Sequence, residues 1–112
     1  MDNKTVLEKA NAAISAGDHE TFLTYCTENT KWTFVGDRIL SGKEEIRQYM
    51  AEAYKKPPKF DVEYMIGEGN FVTAVGTISL YENDIWVTYD YCDFWRFEDG
   101  KMAELRAFVV KK

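Results

Sequence analysis

The chain has 112 residues, 46% of them apolar and 17 aromatic (3 Trp, 7 Tyr, 7 Phe), with a net charge of −5. That length supports one domain over residues 1–112 with a real core. Charges of both signs are interspersed, with no basic stripe, which argues against a nucleic-acid partner. No apolar run approaches the ~20 residues of a membrane helix, and the charged MDNKTVLEK start is not a leader peptide, so a soluble, cytoplasmic protein is expected.

Cys26 and Cys92 have no C-x-x-C spacing and are expected as free thiols. His19 is the only histidine, so a zinc site of the usual His/Cys type lacks ligands. Neither metal nor cofactor is expected.

In chain order, Val6, Leu7, Ala10, Ala13 and Ile14 fall at helical spacing between Thr5 and Ala16. Gly17 is placed to end that helix in a left-handed cap. Asp18 caps a second, short helix with Phe22, Leu23 and Cys26 on one face. A break at Glu28-Asn29 precedes a strand from Lys31 to Val35. Gly36-Asp37 turns it into a short extended piece at Ile39-Leu40.

Ser41-x-x-Glu44 is a capping-box pattern. The helix it starts carries Ile46, Tyr49, Met50, Ala53 and Tyr54 on one face, and Pro57-Pro58 stops it. The remainder reads as strand. Phe60, Val62, Tyr64 and Ile66 alternate onto one face. Phe71 to Tyr81, Ile85 to Phe97 and Met102 to Val110 follow, with turns at Glu82-Asn83-Asp84 and Asp99-Gly100.

Strands joined by such short turns pair antiparallel, and their apolar face needs the helices as cover. The expected fold is therefore α+β, a curved antiparallel sheet wrapped around three helices.

Asp93 shares a strand face with Tyr89, Tyr91 and Trp95, because side chains alternate with period two. An acid between large aromatics stands either on a solvated face or in a ligand pocket. On the neighbouring strand the matching face carries Ala74, Gly76, Ile78 and Leu80. Gly76 either leaves room for a ligand or marks a bulge that curves the sheet. Trp32 and Tyr49 are candidate pocket walls or plain core. Asp37 and Arg38 read as solvated turn residues, and His19 as a surface residue.

Several local motifs carry a wider likeness. Ala16-Gly17-Asp18, Leu40-Ser41-Gly42 with Ile46-Arg47, and Phe97 through Asp99-Gly100-Lys101-Met102 to Leu105-Arg106 resemble the SnoaL-like branch of the nuclear transport factor 2-like superfamily. The likeness covers nearly the whole chain. It implies a cone-shaped, cystatin-like fold with an apolar pocket at one end, and homodimers formed through the sheet. Members include ketosteroid isomerases, polyketide cyclases, epoxide hydrolases, dehydratases and non-catalytic binders, so fold alone assigns no activity.

Asp93-Phe94-Trp95-Arg96-Phe97 resembles the ketosteroid isomerase segment D-[HF]-x-R-F. Its aspartate helps form an oxyanion hole as a neutral acid. The isomerase's other residues do not carry over. Thr33, in Thr33-Phe34-Val35-Gly36, stands at the general-base position, and Ala10 at that of the oxyanion tyrosine. Ala107-Phe108-Val109-Val110 lacks the acidic segment of many SnoaL-like proteins.

Three functions stay open. The chain is a binder of a small hydrophobic molecule with Asp93 as polar handle. Alternatively, it is an isomerase, cyclase or dehydratase with Asp93 as catalytic acid or base. The third option is a dimeric structural protein whose pocket is filled by its own aromatics. The candidate ligand-contacting residues are Trp32, Thr33, Tyr49, Gly76, Ile78, Tyr91 and Trp95.

Overall fold

A computed structural model describes residues 1–112. In chain order the elements are α1 (Asn3–Ser15), α2 (His19–Thr24), β1 (Cys26–Phe34), β2 (Arg38–Ser41), α3 (Gly42–Ala53), β3 (Lys59–Glu68), β4 (Phe71–Glu82), β5 (Ile85–Glu98) and β6 (Lys101–Lys111). The mixed α+β architecture is that expected, a six-stranded sheet with three helices on its concave face.

α1 buries Val6, Leu7, Ala10, Ala13 and Ile14. It ends in a Schellman motif. Gly17, at φ +75°, donates its N–H to the Ile14 carbonyl, and the Asp18 N–H donates to Ala13, both at 2.9 Å. The Asp18 carboxylate then accepts the Thr21 N–H at 3.1 Å and starts α2.

The start of α3 departs from the expected capping box. The Ser41 hydroxyl makes no cap bond, and the Ser41 N–H donates to Glu45 at 2.9 Å rather than to Glu44. Gly42 lies at φ +87°, outside helical space, so the first helical turn is displaced by one residue. Glu44 instead pairs with Arg47, whose guanidinium also holds Glu20 at 2.8 Å and ties α3 to α2.

The strand order is β2-β1-β6-β5-β4-β3. β3 to β6 form the antiparallel meander, but β1 lies parallel to β6, a pairing absent from the sequence reading. β1 also begins earlier than expected. The supposed break at Glu28-Asn29 falls inside the strand, where its register with β6 shifts between Cys26 and Lys31.

A second irregularity corrects the reading of β3. The β3–β4 register shifts between Val62 and Tyr64, inserting an extra residue opposite Gly76. Phe60 pairs with Ile78 and Met65 with Ala74. Beyond the bulge the alternation is inverted, leaving Tyr64 and Ile66 more than 60% exposed. Gly76 makes the bulge possible: a Cβ there would stand 2.0 Å from the Asp61 carbonyl oxygen. The space beside Gly76 is thus filled by backbone and not left for a ligand.

Gly76→Ala must push β3 away from β4. We expect it to destabilise the fold by at least ~2–3 kcal/mol, read as a lowered midpoint in urea denaturation.

Candidate functional site

Alternate residues of β5 (Tyr89, Tyr91, Asp93 and Trp95) line a cavity of about 280 Å³ between the sheet and the helices. β1 contributes Trp32 and Phe34, and β4 contributes Ile78, Leu80 and Glu82. Tyr49 of α3 and Tyr54 just after it close one wall, and Asn11 and Ile14 of α1 close another. Sixteen of the twenty lining residues are hydrophobic, which suits an apolar ligand. Asp93 lies between Ala74 on β4 and Ala107 on β6 in the sheet. These short neighbours leave space above its carboxyl, while Trp95 one step along packs edge-on to Trp32, their centroids 6.1 Å apart.

The accessible surface that Asp93 retains opens onto this cavity. Burial alone raises its carboxyl from the ordinary 3.8 to about 7, with no cation beside it to stabilise the ionised form. Trp32 and Tyr91 also line the cavity, and within its walls the Trp32 Nε1–H and the Tyr91 hydroxyl are buried without any hydrogen-bond partner. Burial, then the charges of Asp93 and Asp61, push the Tyr91 phenol up to about 12. Burial, with smaller contributions from Tyr49 and Asp93, raises Tyr54 well above its usual range. Below pH ~7 the interior therefore holds a protonated carboxyl as well as protonated phenols.

The exposed lining residues Val35, Asp37 and Val109 mark the mouth. Asp37 lies 3.8 Å from Arg38, whose guanidinium sits 5.8 Å from the Tyr49 ring centre. Glu82, half-buried on the rim, accepts a hydrogen bond from the Tyr89 hydroxyl.

Six of the residues singled out in the sequence, Asp93, Trp32, Tyr49, Ile78, Tyr91 and Trp95, come together around this cavity. Thr33 does not. It pairs with Ile39 and Arg106, and alternation turns it to the outer face once Trp32 points inward. Gly76 is excluded by the bulge. Ala10 is fully buried, and α1 faces the cavity with Asn11 instead. Asn11 was readable as a polar residue four after Leu7 and three before Ile14, on the buried face. Asp37 and Glu82 read as turn residues, and only the curl of the sheet brings both turns to one rim. His19 is half-buried, its ring 6.4 Å from that of Tyr54, and is not the surface residue expected. No three His, Cys, Asp or Glu side chains converge to hold a metal ion.

A sheet curled over three helices, with an apolar hollow at one end, defines the nuclear transport factor 2-like class. Residues 7–105 match the SnoaL-like domain family, and the chain belongs to it. Among solved structures, the epoxide hydrolase/cyclase-like enzyme SalBIII, associated with pyran ring formation in the polyether salinomycin, is similar at TM-score 0.89 and 17% identity. The match covers 96% of this chain and 89% of that one. An uncharacterised cystatin-fold protein from Novosphingobium aromaticivorans matches at TM-score 0.86 and 19% identity over 96% and 98% of the two chains. An NTF2-like protein of unknown function from Cytophaga hutchinsonii matches at 0.82 and 16% over 97% and 90%. At these identities the likeness establishes the fold. Comparison with curated proteins gives no significant match.

The raised Asp93 carboxyl has a defined effect on stability. Between pH ~4 and ~7 the folded chain keeps a proton that the unfolded chain has lost, so stability falls as pH rises through that window and levels above it. The full span from 3.8 to about 7 corresponds to ~4 kcal/mol. We expect Asp93→Asn to lose this fall. Urea denaturation at pH 5 and pH 8 should show the variant gaining on the parent by a few kcal/mol at the higher pH.

Proposed function

We propose that the chain binds a small, largely apolar molecule carrying an acceptor oxygen, held by neutral Asp93 among the aromatic walls of Trp32 and Tyr91. The observation that carries this reading is the Asp93 carboxyl, buried without a cation or a hydrogen-bond partner, in the wall of an unfilled cavity. Leaving a buried donor unsatisfied costs ~1–3 kcal/mol, and a ligand oxygen beside the protonated Asp93 carboxyl would relieve it. The open volume favours binding over a domain plugged by its own aromatics. The cavity is nearly twice the ~150 Å³ hollow that holds benzene, so a two-ring ketone such as 2-acetylnaphthalene is a suitable probe. Calorimetry should find it bound about tenfold more weakly at pH 8.5 than at pH 5.5, with Asp93→Asn abolishing that pH dependence. If Asp93→Asn leaves binding unchanged while Trp32→Ala abolishes it, Asp93 is not the handle.

A second reading, acid–base catalysis of isomerisation, cyclisation or dehydration, is favoured by one observation. A carboxyl at about 7 is matched to proton transfer at neutral pH. Deuterium exchange of the probe's acetyl protons, followed by NMR, separates the two. Catalysis accelerates exchange over the free ketone and loses that acceleration in Asp93→Asn, whereas binding alone leaves the background rate.

We further propose a homodimer through the outer sheet face, where Phe94, Phe108 and Val110 stand 41%, 45% and 66% exposed beside Val75 and Ile66. Exposed apolar surface on a sheet face calls for cover. Phe94→Glu should convert the dimer to a monomer in analytical ultracentrifugation. The free thiols of Cys26 and Cys92 fit a reducing, cytoplasmic setting.

A further inference from the structure

The cavity has opposite characters at its two ends. Inside, the walls are aromatic and aliphatic around one carboxyl, Asp93, which has no cation beside it. At the mouth, the charged lining side chains are the carboxylates of Asp37 and Glu82. Both act on the same spot, since the charges of Asp37 and Glu82 reach the Tyr49 hydroxyl together with that of Arg38. Arg38 is the one cation there, and it is shared between Asp37 and the Tyr49 ring. Glu82 has only the neutral Tyr89 hydroxyl as partner. Other nearby cations are placed elsewhere. Lys56 and Lys59 lie over the rings of Tyr81 and Trp86 at 4.1 and 4.3 Å. Lys111, paired with Tyr89 across the sheet, is exposed and does not line the cavity.

We propose that Asp37 and Glu82 form a charge filter at the mouth, so that the ligand is a neutral or amine-bearing amphiphile with its acceptor oxygen inward, and carboxylate-bearing analogues are refused. This rests on the binding reading of the cavity and adds to it the polarity and orientation of the ligand. An entering carboxylate meets two like charges and one engaged arginine. It then loses its hydration among aromatic walls that return no cation, a cost no neutral analogue bears. An ammonium group held at the rim keeps water on one side and gains both carboxylates as partners. The aromatic side chains of Tyr49 and Tyr89 at the same rim add cation–π attraction.

The test uses three ligands on one scaffold: 2-acetylnaphthalene bearing a methyl, an aminomethyl or a carboxylate group at position 6. Dissociation constants are measured by calorimetry at pH 6, where Asp93 is largely protonated. The carboxylate should bind at least about tenfold more weakly than the methyl compound, and the amine a few-fold more tightly, with the amine's advantage shrinking as salt is raised. In the Asp37→Asn/Glu82→Gln double variant, which keeps both hydrogen-bond acceptors, the amine should lose its advantage over the methyl compound, and the carboxylate's penalty should shrink several-fold to the cost of its lost hydration. Circular dichroism confirms that the variant is folded. Equal binding of methyl and carboxylate compounds by the parent, or the same discrimination in the double variant, overturns the filter while leaving the pocket reading intact. Failure of all three compounds to bind overturns the pocket reading and the filter with it.

Discussion

The backbone of β3 approaches Gly76 so closely that no side chain fits between them, and the shape of the molecule depends on that contact. The extra residue in β3 increases the local twist and turns the strand's outer half over. The sheet therefore curls around the helices and does not lie flat against them. The curl encloses more volume at one end than Ile14, Phe22, Trp32 and the other side chains there occupy, and the hollow is that excess.

Asp93 is placed where this excess volume lies. Its neighbours across the sheet are alanines, so its carboxyl is not covered by side chains from β4 or β6. It is surrounded by protein yet opposite empty space, with no cation to pair with. Desolvation then acts without opposition, which explains the single cause of its shift. Trp32 is immobilised by edge-on contacts with Phe22, Phe34, Tyr49 and Trp95. Its ring thus stands as a fixed wall of the hollow.

Much of this was legible from local pattern. Period-two alternation placed Tyr91, Asp93 and Trp95 on one face of β5, and cap chemistry at Gly17 and Asp18 placed the first two helices. Alternation misled where the backbone broke it: Phe60, Val62, Tyr64 and Ile66 spell an unbroken strand, and the interruption is visible only in the glycine across from it. Thr33 was drawn in by a family motif, although its adjacency to Trp32 already assigned the two to opposite faces. The parallel contact of β1 with β6 left no local trace, since its partners come from opposite ends of the sequence. Asp37 and Glu82 belong to separate turns, and no sequence distance tells that a curled sheet brings them to one opening.

That β1–β6 contact also bears on how the chain reaches its fold. Trp32 pairs with Leu105 and Phe34 with Ala107, so β1 has only the short β2 beside it until the last strand has been made. During synthesis the antiparallel hairpins β3 to β5 can pair as they emerge, while α1, α2 and the β1–β2 hairpin wait for β6. Closing so long a loop costs entropy before any contact repays it, which places the step late and makes it slow. Trp32 lacks its neighbour Leu105 until then, and the part of the cavity wall that Leu105, Ala107 and Val109 supply is added only in that last event.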